Sequence, residues 1–129
     1  MSKIALACFT VAPIYGLIGM LWGSYMGVSH DHSMMPAHAH LNLLGMVING
    51  MMGAFYAFAG DRISARLAWA SFWLWNIGVL IIIPLLTIIL TGNESVAPFI
   101  LIGEVCVILG MIAFLANVAR LWKQPASQV

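Results

Sequence analysis

Apolar residues run through this chain in four long stretches, each closed by a short cluster of polar, charged or helix-breaking residues. The stretches cover residues 4–28, 38–60, 67–90 and 99–122. Each can form a helix that crosses a hydrocarbon core, which takes about 20 apolar residues. The breaks differ in chemistry: 29–37 is polar and carries Pro36, 61–66 is short and charged, and 91–98 contains Gly92, Asn93, Glu94 and Pro98. The pattern predicts an all-α integral membrane four-helix bundle, a single domain over residues 1–129. Short loops make sequential helices antiparallel neighbours. The first stretch is too long for a signal peptide and three more spans follow, so it reads as an uncleaved first helix. The polar tail 123–129 is expected to fray.

Composition removes the alternative. Hydrophobic residues make up 63% of the chain and charged ones 7%, where a soluble domain carries about 25% charged residues. A water-soluble domain is excluded, and a net charge of +1 from few groups offers no surface for nucleic acid. Membrane lipid is the first partner implied.

The five basic residues then fix an orientation. Lys3, Arg62, Arg66, Arg120 and Lys123 all fall on the side that holds both termini and the second loop. Loops 29–37 and 91–98 contain none. Lys and Arg stay cytoplasmic, so both termini are expected in the cytoplasm. In a bacterial inner membrane, loop 29–37 would then face the periplasm. Cys8 and Cys106 sit at opposite depths in this layout and cannot pair. Gly19, Gly23 and Gly27, four apart, form a smooth strip of the kind that lets membrane helices approach closely. Pro84 is expected to bend the third span. Trp22, Trp69 and Trp122 lie near span ends and suit an interfacial belt. Trp73 and Trp75 lie deeper, where they are expected in the core or, alternatively, flanking a cofactor.

All four histidines fall in the stretch SHDHSMMPAHAHLNLLG, as His30, His32, His38 and His40. Imidazole is costly to leave unpaired in hydrocarbon, so intramembrane histidines line cavities or hold metals. At about 100° per residue, His38 and His40 leave their helix roughly 200° apart, on opposite faces. His38, Asn42, Gly45 and Asn49 form a polar, small-residue stripe. His40 shares its face with Val47, Met51, Ala54 and Phe58. The plain structural reading is that histidines at a helix end hydrogen-bond in the interfacial zone. Asn42 and Asn49 are expected to make interhelical hydrogen bonds. Glu104, a short way into the fourth span, lies near the depth of the histidines, either as a proton relay or as a protonated acid bonded to another helix. The loop residues His30, His32, Met34 and Met35 combine imidazole with thioether, a set that suits copper. A copper-binding or metal-transport protein is therefore the alternative reading.

The segment PAHAHLNLLGMVING, with its HxHLNLLG core, resembles the histidine-bearing helix of small four-span proteins related to heme–copper oxidase subunit I. The four-span layout and the FLANVARLW ending add to the resemblance. It implies that the chain corresponds to one of the three four-helix arcs of an oxidase. It also implies that His38 and His40 are axial ligands of heme b; Met51 and Phe58, on the face of His40, and Glu104, near its depth, are then expected to border the cofactor. An oxidoreductase class, electron transfer or diatomic-gas binding, and a quinol or cytochrome electron donor belong to the same implication. The sequence has no separate histidine pair on a later helix for an oxidase copper centre, and no catalytic residue is assigned. Because one helix cannot grip both faces of one heme, a homo-oligomer is expected. The three arcs make a trimer the natural number, with heme between His38 of one chain and His40 of the next; a dimer, or a monomer with a five-coordinate heme, is the alternative.

Cysteines introduced at Ser33 and Ser95 should react with a membrane-impermeant reagent from outside intact cells, and one at Gln124 should not. Protection of either outer site would reverse or break the topology.

Overall fold

The computed structural model describes residues 1–123 and contains four helices long and apolar enough to cross a membrane. We label them α1 (Lys3–Ser29), α2 (Met35–Arg62), α3 (Ala65–Leu90) and α4 (Ala97–Trp122). Among the described residues there is no strand. Helix starts carry the expected signals. Ser2 accepts from Ala5 N at 3.3 Å and Ser64 from Leu67 N at 3.5 Å, each capping a first turn. Pro36 and Pro98 occupy first-turn positions, where the missing N–H leaves nothing unpaired. Gly60 (φ 56°), in the last turn of α2, and Gly92 (φ 93°), after α3, turn the chain in a conformation that disfavours other residues.

α2 is not a uniform helix. It is α-helical over Met35–His40, π-helical over Leu41–Ile48, α-helical again over Asn49–Ala59, and ends in a 3₁₀ turn at Gly60–Arg62. The π segment corrects the straight-helix stripe expected from sequence. His38, Asn42 and Met46, stepping by four, face Gly23, Gly19 and Gly16 of α1. Gly45 receives the Tyr15 ring, and Asn49 turns to α3. A longer turn rotates everything beyond it, so residues that share a face on a regular helix part company here. The glycine strip of α1 is also used one turn deeper than expected. Gly16 joins it, and Gly27 meets open space.

The bundle is two tight pairs. α1 packs on α2 through those glycines. α3 packs on α4 through Gly78, Gly103 and Gly110, where the backbones themselves meet. A Cβ at Gly110 would lie 2.8 Å from Trp75 N, and one at Gly78 would lie 2.7 Å from Gly103 O. The pairs are joined by polar ties, as lipid-embedded helices require. Asn49 and Asn76 exchange amide hydrogen bonds at 3.2 and 3.0 Å, and Trp75 Nε1 donates to Leu44 O at 2.9 Å. Near the basic end, Phe55 and Phe114 meet edge to face at 5.0 Å. There Ser64 N donates to Asn117 Oδ1 at 2.9 Å while Asn117 Nδ2 donates back to Ser64 O at 3.3 Å. Trp75 is buried, as expected. Trp73 is not: it is 57% exposed on the outer face of α3, a correction to its expected core position. α3 runs through Pro84 as one continuous helix. Cys8 and Cys106 are both free thiols.

Gly110→Ala should destabilise the protein by about 1–3 kcal/mol, the usual cost of overpacking against atoms that cannot yield. Gly27→Ala should stay within about 0.5 kcal/mol of the parent. Equal unfolding midpoints for the two variants in mixed micelles would contradict the close backbone approach of α3 and α4.

Candidate functional site at the histidine end

The first turn of α2 positions both intramembrane histidines, and they leave it in different directions. His38 turns toward α1. Its ring sits half-buried against Gly23, edge-on to Trp22 at 6.4 Å between centroids. Asn42 Nδ2 donates to His38 O at 3.1 Å and lies 3.3 and 3.4 Å from the two ring nitrogens. His38 therefore occupies the outer end of the α1–α2 seam, below the open space at Gly27.

His40 turns the other way. Its Nδ1 lies 2.7 Å from Pro36 O. A carbonyl oxygen only accepts, so Nδ1 carries a proton, and in the neutral ring Nε2 keeps its lone pair. That is the tautomer a metal-ligating imidazole needs, held by the kind of backbone partner that fixes such ligands. The ring borders a cavity of about 360 Å³ between α2, α3 and α4, walled by Leu44, Ile82, Ile100 and Val107. Glu104 lines the same cavity. An apolar recess, open on one side, with one oriented imidazole and one carboxyl group, both exposed, suits a ligand that is mostly apolar and engages a single basic nitrogen.

Of the residues singled out by sequence, the structure brings together His40 and Glu104. It does not bring Met51 or Phe58 to them. Met51 borders a separate cavity of about 360 Å³ between α2 and α4, with Met52, Phe55 and Phe114. Phe58 lies farther toward the basic end and is 88% exposed. Distance along α2 explains the separation: Met51 and Phe58 follow His40 by 11 and 18 residues, about 16 and 27 Å of helix at 1.5 Å per residue. The Pro36 carbonyl was not anticipated as the group that orients His40. Its signal was present in the sequence, as a proline four residues ahead of the histidine.

The loop between α1 and α2 has its own order. His30 adopts a left-handed conformation (φ 54°) at the end of α1. Asp31 accepts from Ser33 N at 2.9 Å, and Met35 N donates to His32 O at 3.0 Å. Hydrogen bonds from the Ser33 backbone and side chain hold the Asp31 carboxyl below the usual carboxylate range. His30 and His32 are exposed, Met34 is half-buried and Met35 exposed. Among the described residues no three His, Cys, Asp or Glu side chains converge as metal ligands. What organises this loop is the Asp31 turn.

The residues present fit a heme in part. His40 supplies an oriented nitrogen beside an apolar wall. His38, facing α1, cannot reach the same ligand from the same chain.

The chain is similar to cytochrome c oxidase subunit 1 of Thermus thermophilus, at 33% identity over 88 residues. The match covers 55% of this chain and 82% of that one. No family model and no solved structure matches the chain.

In ¹⁵N-histidine spectra of the protein prepared without cofactor, at a pH well above the ordinary imidazole value of about 6.5, His40 should be protonated at Nδ1. Protonation at Nε2 would show that the Pro36 contact does not set the tautomer.

Proposed function

This chain belongs to the cytochrome c oxidase subunit 1 family, and on that footing we propose that it is a heme b-binding membrane protein that carries electrons or binds a diatomic gas. The observation that carries the reading is the divergence of the two histidines, His40 with Nε2 free beside an apolar cavity and His38 turned to the opposite side of α2. When bound, heme supplies a one-electron iron couple and a coordination position for small ligands. The chain supplies the rest. His40 presents its nitrogen, Leu44, Ile82 and Val107 exclude water, and Glu104 holds or exchanges a proton at the cavity wall. The electron donor in this reading is a quinol or a cytochrome.

The oligomeric reading follows from the same geometry. A cavity of about 360 Å³ is at the small end of ligand sites, which run from about 300 to 1,000 Å³. A porphyrin would need a second wall from a neighbouring chain, and with it the neighbour's His38. Each α2 then serves two sites head to tail, a contact that must close into a ring. We propose a homotrimer, each chain standing for one four-helix arc of the larger oxidase. α4 supports an unfinished assembly: its buried residues are Gly103, Gly110 and Asn117, and most of its apolar surface lies outside the single chain. The positions of Lys3, Arg62, Arg66, Arg120 and Lys123 support cytoplasmic termini and a periplasmic histidine end in a bacterial inner membrane.

Reduced-minus-oxidised spectra of the purified protein should show b-type heme bands. His38→Ala and His40→Ala should each abolish or strongly shift them, with smaller effects from His30→Ala and His32→Ala. Native mass spectrometry should find three chains with about three hemes per particle, as ring closure requires. Unchanged bands in both His38→Ala and His40→Ala would defeat the ligand assignment. A colourless protein that loads copper would favour the loop residues His30, His32, Met34 and Met35 instead. A monomer with a bis-histidine spectrum would end the interface reading.

A further inference from the structure

We propose that the α1–α3 seam at the basic end holds one phospholipid whose headgroup carries both a phosphate and a primary ammonium, as phosphatidylethanolamine does. Two concavities adjoin there and share Lys3 and Trp69. One is a groove of about 480 Å³ that runs into the apolar zone past Leu6, Thr10, Phe72 and Trp73. The other is a cup of about 260 Å³ at the helix ends, lined by Ser2, Gly60, Asp61 and Ala65. Polar cup outside and apolar groove inside repeat the order of a lipid along the bilayer normal.

The groove exists because α1 and α3 are each committed elsewhere, α1 to α2 and α3 to α4, and touch one another little. Its α3 wall is aromatic: Trp69 meets Phe72 edge to face at 5.7 Å, and Phe72 meets Trp73 at 5.3 Å. An acyl chain lying in the groove covers the Trp73 indole, which is 57% exposed on the bare chain.

Charge selects the headgroup. Lys3 stands where groove and cup meet, and both α1 and α3 begin at the cup, so their positive dipole ends add to its attraction for a phosphate. Asp61, on the cup wall, repels a second anionic group and pairs with an ammonium. A glycerol headgroup brings no cation to Asp61. A choline headgroup is bulkier and has no N–H to donate. Of the three headgroups, the aminophospholipid alone offers Asp61 a cation that also donates hydrogen bonds.

The test uses full-length protein, delipidated in mild detergent and offered phosphatidylethanolamine, phosphatidylglycerol or phosphatidylcholine with identical acyl chains. Native mass spectrometry should find one phosphatidylethanolamine retained per chain. Its preference over phosphatidylglycerol should be about fivefold, the worth of one charge pair at a membrane surface, and phosphatidylcholine should also be retained less. Asp61→Asn should bring phosphatidylethanolamine and phosphatidylglycerol close to parity. Lys3→Gln should weaken both, and Trp73→Ala should lower retention of every headgroup, with helical content by circular dichroism unchanged in all three variants. Equal retention of the three lipids by the parent overturns the proposal. So do a preference for phosphatidylglycerol, a quinone recovered in place of phospholipid, and unaltered selectivity in Asp61→Asn.

Discussion

Inside hydrocarbon a polar group has no water to turn to, and the way this chain meets that demand at the centre of α2 decides the rest of its architecture. Asn49 donates to the Gly45 carbonyl at 2.8 Å and to Asn76 on α3, while Trp75 Nε1 takes the Leu44 carbonyl. Both carbonyls belong to the π segment, so the irregular backbone of α2 is where α3 attaches. Remove the Asn–Asn exchange and a fully buried amide, Asn49, loses its interhelical partner. A buried polar group without a partner costs about 1–3 kcal/mol. The tie is valuable less for its own strength, modest between membrane helices, than for the expense of leaving it unmade.

The π segment also separates two tasks that a regular helix would lay on one face. Ahead of it, the first turn of α2 sends His38 toward α1 and His40 toward α3 and α4. Beyond it, Met52 and Tyr56 point into the core while Met51 and Phe58 point out. The chemistry-bearing end of α2 is thus fixed by α1 glycines and the Pro36 carbonyl. The rest is fixed by amides and aromatic packing. A change in either half need not disturb the other.

Much of this was readable from residue order. Four apolar runs parted by Pro36, the 61–66 turn and the Gly92–Pro98 break imply four long helices, and four such helices are what the fold contains. The opposed directions of His38 and His40 follow from a two-residue spacing on any α-helical turn. The π segment was not readable. It changes a hydrogen-bonding step and leaves no residue type as its mark, so of the expected stripe His38, Asn42 and Gly45 meet α1 while Asn49 goes to α3. The α3–α4 contact was hidden for a different reason. Gly78 stands alone on α3 and Gly103 and Gly110 lie seven apart on α4, so no stripe announces them until the helices are laid together. Trp73 was misjudged because depth in the membrane was taken for depth in the protein. A residue midway along a span can still face lipid.

The two glycine seams explain why openings occur where they do. Backbones that approach closely leave no free surface between α1 and α2 or between α3 and α4, so space is left only between the pairs. The polar ties close that space in the middle of the bundle, at Asn49, Asn76 and Trp75. Toward the histidine end a chamber remains between α2, α3 and α4, and it is the one that His40 and Glu104 line. Toward the basic end a groove remains between α1 and α3, and Lys3 and Trp73 border it. The openings share one cause but not one chemistry. Imidazole and carboxyl stand at one and ammonium and indole at the other, so the ends of the bundle differ by charge and by the kind of molecule each can hold. A bundle of four evenly packed helices would have neither opening. The uneven pairing, set by where glycine falls on each helix, is the step that gives four apolar segments openings of different chemistry at the two ends.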